Sequence, residues 1–479
     1  MAYDPKKDYS FEDVPELIGY LKRSAIDAYM MSESSGITDT CTIMDDKYVV
    51  SFPMPYVSSA DKDIARPGKD GRGGGKVLSS DGNEDDSDYT AQFDAIRQNI
   101  DEILKPWMTL PDSESIGTQI EKWITVVSEL AKEPAVFDPM NGRSTGSGTI
   151  FSNLTFAGTS IAHMSGAVID KVKIFLANLQ QVVEGLHSQI MFWGGTLYTE
   201  MRIFDKARSS LVDALKQGIK VFDAIASSGG AGVKMALEIV STAIDVFLTF
   251  TKPGASFGSQ FAEVNAKALK SINSLKELKV DGSEANDFRT GLDKFEKVLA
   301  RVSESIDVAE HGLETALFDS LNSMSDKDHR GYYDLKAIAI DSNAIKPAPQ
   351  LNVDYGKTKG ICGDLGRIQE SVRTAKEKIP LVSMSACVYR GDGVGYFYTG
   401  PSRGFDQMRL RIELLLESLV NDIGDEMKNF ELAVEAIVGQ DAESQTRLNE
   451  ISEHIKNSLD NPWKDSKTVR PVKGRNQIV

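Results

Sequence analysis

Residues 164–226, MSGAVIDKVKIFLANLQQVVEGLHSQIMFWGGTLYTEMRIFDKARSSLVDALKQGIKVFDAIA, decide the fold class. Their apolar side chains recur at Val168, Val172, Phe175, Leu179, Val182, Leu186, Ile190, Trp193, Leu197, Met201 and Phe204, always three or four residues apart. The stripe continues through Leu211, Leu215, Ile219 and Phe222. An α-helix turns once in about 3.6 residues, so these steps keep one face oily, whereas a strand would alternate in twos. The run predicts a long helix, or a helical hairpin, that packs in coiled-coil manner. As one helix it would measure roughly 90 Å, at about 1.5 Å per residue.

Trp193-Gly194-Gly195 sits midway and leaves two readings open. The tripeptide fits a W-x-G pattern, and a turn there would join two antiparallel helices of similar length. The stripe also crosses Trp193 without a phase break, as a continuous helix requires, although two interior glycines would cost such a helix about 1 kcal/mol each.

Outward from this stretch the periodicity persists. Ser227-Ser228-Gly229-Gly230 ends the helix, and 231–250, AGVKMALEIVSTAIDVFLTF, follows as an apolar segment bearing Met235, Ile239, Ile244 and Phe247. It also carries Lys234, Glu238 and Asp245; a Lys or Asp costs roughly 2.5–3.5 kcal/mol at a bilayer centre. The segment therefore reads as a buried core helix, with a partner interface or a membrane-active segment (229–250) as alternatives. Amphipathic helices are expected at 259–279, 284–323 and 360–379. A helical pair is expected at 89–133, and a last helix or close pair at 405–458. Met164, Met191, Met201 and Met235 read as core filler.

Three stretches break the pattern. Cys41 to Val57 is β-branched and aromatic and predicts a short hairpin. Residues 58–88, which include GRGGGK and an acidic run, hold almost no large apolar group and read as a linker that cannot offset its ordering entropy. Residues 381–404, LVSMSACVYRGDGVGYFYTGPSRG, predict a short hairpin or ordered loop. The expected architecture is mainly α: an elongated bundle of long antiparallel amphipathic helices with a small β-hairpin or loop element. Its parts are a small mixed region at 1–60, a linker at 61–88, the main bundle at 89–323 and an extended linker with short helix and loop at 324–404. A C-terminal helix at 405–458 packs on the bundle, and a disordered tail occupies 459–479.

The chain has 479 residues and a formal net charge of −16. An acidic surface repels phosphate, so no nucleic-acid partner is expected and an anionic membrane is not favoured. Residues 1–20 hold no apolar run of signal-peptide length, which predicts a cytoplasmic location or export without a Sec signal peptide. Cys41, Cys362 and Cys387 are too few and too widely spaced for a disulfide framework or a CxxC pair; three free thiols are expected, with a Cys362–Cys387 bridge as the alternative.

Catalytic and cofactor motifs fail on inspection. GRGGGK lacks the first glycine and the hydroxyl residue of a P-loop, where Asp70 and Val77 stand. His163, His187, His311, His329 and His454 show no metal-ligand spacing, and no GxSxG occurs. Arg390-Gly391-Asp392 spells an adhesion tripeptide from three common residues and reads as coincidence. No catalytic, cofactor or metal residue is expected; an enzyme would need a pocket joining His329, Asp334 and the 386–404 loop.

The order of the helical stretches 89–112, 164–226 and 396–451 resembles that of actinobacterial helical proteins related to type VII (ESX/WxG-like) secretion substrates. The resemblance implies long paired helices that associate with protein partners or with each other. In this chain the Tyr-x3-Asp/Glu element occurs at Tyr9/Asp13 and Tyr29/Glu33, and the comparable place in the last helix, Ile437 to Asp441, has no tyrosine. The expected function is that of a non-enzymatic interaction protein, a secretion-associated substrate or structural component, with a helical pore-forming protein as the alternative.

Overall fold

The computed structural model describes residues 3–32, 40–54, 57–80, 88–131, 136–137, 144–145, 148–228, 233–234, 284–285, 287–337, 353–438 and 453. The stretch at 164–226 folds as one helix, α5, which runs unbroken from Ala167–Ser228 over 62 residues. Among the described residues the other helices are α1 (Val14–Ser32), α2 (Thr90–Leu104), α3 (Ser113–Leu130), α4 (Thr149–Ala162), α6 (Phe288–Ser325), α7 (Tyr355–Lys378) and α8 (Ser402–Val438). Helices α1, α3, α4, α6 and α8 all pack on α5, while α7 lies against α3, α4 and α8. The described residues are thus mainly helical, with a small four-stranded antiparallel sheet and two short two-stranded pairs.

Helix starts follow local chemistry. Asp112 caps α3 by accepting from the Ser115 amide at 2.5 Å. Asp287 and Thr290 form a reciprocal box at the start of α6, and Asp354 accepts from the Gly356 and Lys357 amides before α7. Each satisfies amide groups that the first turn of a helix leaves without partners.

The middle of α5 is buried on nearly every side, beyond what a single stripe predicts. Val172, Leu179, Leu186, Trp193, Leu197, Met201 and Phe204 are buried, whereas Val168 and Phe175 are half-buried at the rim of the core. Gly194 and Gly195 are buried too, inside the helix and not at a turn. A Cβ at Gly194 would overlap the indole of Trp123 on α3, so the glycine is a notch for that ring. Trp123 Nε1 donates to the Ile190 carbonyl at 2.8 Å, and Trp193 Nε1 donates to the Phe405 carbonyl of α8 at 3.1 Å. Trp193 and Phe405 also stack at 4.7 Å. The W-G pair therefore locks α3 and α8 onto α5.

The expected hairpin exists and grows into a four-stranded antiparallel sheet, β1 (Thr40–Ile43), β2 (Lys47–Met54), β3 (Val57–Ala65) and β4 (Val77–Ser80), in sequence order. Tyr48, Val50 and Ile64 are buried on one face, where Tyr48 meets Phe93 of α2 edge-on at 6.1 Å. The linker expected at 61–88 is corrected here: most of 61–80 is strand or tightly docked loop. Composition reflects only what side chains can bury, whereas this segment is held by its backbone. Gly71 (φ +74°) has no Cβ and lies against α1, where a Cβ would come 2.6 Å from the Gly19 carbonyl oxygen. Arg97 of α2 donates to the carbonyls of Gly71 and Gly73. Residues 1–60 are likewise no separate unit, because α1 and the sheet share one core with α5.

Val233–Lys234, expected within a helix, pairs as a short strand with Glu284–Ala285. Met235, Ile239, Ile244 and Phe247, the 259–279 helix and the 459–479 tail lie outside the described residues. Among the described residues no helix is long and apolar enough to cross a membrane.

Candidate functional site

The segment between α7 and α8, residues 382–401, has neither helical nor strand periodicity, and Arg390 lies at the centre of the contacts that hold it. Arg390 is wholly buried within it. Its Nη2 donates to Glu310 Oε2 of α6 at 2.5 Å, its Nε donates to the Val394 carbonyl at 2.6 Å, and its backbone amide donates to the Tyr398 carbonyl at 3.0 Å. The guanidinium also lies 5.1 Å over the Phe204 ring of α5. Glu310 Oε2 takes a second bond from the Tyr396 amide at 2.8 Å. Ser303 of α6 donates to the Gly393 carbonyl and accepts from the Gly395 amide, and Thr109 accepts from the Gly391 amide.

A third buried charge-bearing group completes the cluster. Glu200 of α5 is wholly buried, as is Glu310, and the two carboxyl groups act on one another electrostatically. Burial, then the neighbouring Glu310 charge, hold Glu200 well above the usual carboxylate range. Burial pushes Glu310 the same way, while Arg390 and the Tyr396 amide pull it back toward the ionised form. The cluster thus sets two buried carboxyl groups, both held above the usual carboxylate range, around one guanidinium.

A buried ion pair adds little net stability, because desolvation offsets its attraction; what it enforces is geometry. Here it bends the loop so that Tyr389, Phe397 and Tyr398 stand outward, 68%, 54% and 53% exposed. Tyr389 and Tyr398 meet edge-on at 5.9 Å, and Tyr396 packs on His311 at 5.0 Å.

No family model matches this chain, and no curated protein or solved structure matches it either.

The other candidates have local roles. Cys41, Cys362 and Cys387 are free thiols. Burial pushes Cys387 and Cys362 up to about 12 and Cys41 up to about 11, which keeps all three protonated at neutral pH and poor as nucleophiles. Among the described residues no three His, Cys, Asp or Glu side chains are grouped to hold a metal. A cleft of about 530 Å³ is lined by Asp27, Cys41, Arg66 and Asp223. Asp27 there is engaged by both Arg66 and the Tyr48 hydroxyl. Asp334 lies beside Lys336 and Arg411, whereas the 386–404 loop closes on Glu310.

The sequence marks 381–404 as a short hairpin or ordered loop but does not mark the cluster beneath it. One signal was available: Glu310 falls between Ile306 and Leu313, on the apolar stripe of α6. A carboxylate in a core register position demands a buried partner.

Proposed function

We propose that this chain is a non-enzymatic helical interaction protein whose contact surface is the aromatic loop at 388–400. The observation that carries the reading is a trio of exposed aromatic rings on a backbone pinned by a buried Arg390–Glu310 pair. Tyr and other large aromatic side chains dominate binding hot spots, and a loop already held in shape loses little entropy when it docks. Conserving loop shape at the cost of burying charge fits recognition better than stability alone. The narrower form of the proposal is a type VII secretion-associated substrate or structural component with an elongated, coiled-coil-like body. The 62-residue α5 and the order of the helical stretches support it. Trp193-Gly194-Gly195 enters that reading as a packing node rather than as a hairpin turn.

A photoactivatable cross-linker placed at Phe397 in the producing cells tests the contact surface, with Phe156, an equally exposed aromatic residue on α4, as control. A discrete protein adduct from position 397, absent from 156 and lost on Tyr389→Ser with Tyr398→Ser, is the expected outcome. No adduct, or the same adducts from both positions, overturns it. The secretion-associated form predicts the protein in the culture medium without a co-released cytosolic marker; retention in the cells overturns that form.

A further inference from the structure

The cluster beneath the loop holds two carboxyl groups and one guanidinium, all closed off from water. Among the described residues neither oxygen of Glu200 has an N–H or hydroxyl donor, and Glu310 Oε1 lacks one as well. Two carboxylates side by side could only repel, since each would accept and neither donate. A proton between them supplies the missing donor and leaves a single negative charge opposite the single positive charge of Arg390. The groups that face Glu200 are Glu310 from α6 and, from the loop, Arg390 and the Cys387 thiol. Asp112, capping α3, and Lys122 on α3 act on Cys387. Among the described residues Arg390 is the cation that acts on Glu200 itself, and Lys122 acts only on the thiol.

We propose that one proton, shared between Glu200 and Glu310, latches the 388–401 loop, and that losing it as pH rises loosens the loop and withdraws the aromatic surface. The proposal rests on the reading of that surface as a contact site and names its regulation. With Glu200 ionised, two buried negative charges compete for Arg390, and the Glu310 contacts to Arg390 and to the Tyr396 amide weaken together. Those contacts, with the Arg390 amide to Tyr398, hold the loop.

Hydrogen–deuterium exchange on the full chain, corrected for intrinsic rates, tests this between pH 5 and 9. Protection of the Arg390, Gly395 and Tyr396 amides should fall at least tenfold as pH rises, while the Trp193 region of α5 keeps its protection. Glu200→Gln replaces the acid by a neutral donor of the same shape and should hold the loop protected at every pH. A second readout needs no unfolding: the infrared band of a protonated carboxyl, present at neutral pH in the wild type, should shrink in Glu200→Gln. Loop protection that is independent of pH, a Glu200→Gln loop that loosens like the wild type, or an unchanged infrared band each overturns the latch. These measurements need no partner. A pH-dependent loop with no cross-link at Phe397 sinks the contact reading and spares the latch; a cross-link with pH-independent protection does the reverse.

Discussion

At the residue scale, the cost of burying a charge depends on which neighbour is removed. Arg390→Met leaves Glu310 ionisable in a site closed to water, and unfolding by denaturant should show a loss of about 3–5 kcal/mol. Combining it with Glu310→Leu removes both charges and should recover most of that loss, because a well-packed apolar pair often replaces a buried ion pair without penalty. Two buried groups also give the stability curve opposite slopes. Burial pulls His187 down to about 4, below its value in the unfolded chain. Between about pH 6.5 and 4 the unfolded chain binds more protons there, so stability is lost as pH falls, by up to about 3 kcal/mol. Glu200 is raised, so its contribution is full below the ordinary carboxylate range and is lost as pH rises through its folded value. Denaturant unfolding across pH should show the acid-side slope flattened in His187→Asn and the alkaline-side slope flattened in Glu200→Gln.

At the element scale, α5 owes its continuity to packing. Two adjacent interior glycines weaken a helix by about 1 kcal/mol each, yet α5 runs through Gly194 and Gly195 because α3 and α8 close on that point. An alanine there improves intrinsic helix propensity and destroys the fit. Gly194→Ala should destabilise the protein by about 3 kcal/mol despite the better helix former, since Trp123 must leave its notch and neighbouring side chains must shift. A thermal shift upward would show that propensity outweighs packing at this site. The sheet shows the same priority of packing over composition. Residues 66–76 hold little oily surface, but Arg97 and the backbone of α1 supply the contacts that order them.

At the scale of the whole molecule, the charge balance matters more than any exposed ion pair. A net charge of −16 makes the folded chain repel itself. Raising ionic strength from about 0.01 to 0.15 M shortens the screening length from about 30 to 8 Å, so the melting temperature should rise with salt. A fall would mean that ion pairs such as Lys22–Asp101 and Lys378–Glu129 outweigh the general repulsion. Phe156 on α4 is an isolated apolar group of the kind most surfaces carry, whereas Tyr389 and Tyr398 touch one another on a constrained loop.

The three- and four-residue recurrence in 164–226 determined a long helical stretch, as one helix or a hairpin, and the mainly α class, because helical geometry acts over neighbours a few residues apart. The same local logic marked α2, α3, α6, the β1–β2 hairpin and an ordered loop near 381–404. Only the tertiary structure decided whether Trp193-Gly194-Gly195 turns or continues, since the answer lies in Trp123, about 70 residues upstream, and Phe405, more than 200 downstream. It also decided that Glu200, Glu310 and Arg390 meet. Sequence periodicity reports which way a side chain faces on its own element; whether a buried charge finds its counter-charge depends on chain segments far apart that folding alone brings together.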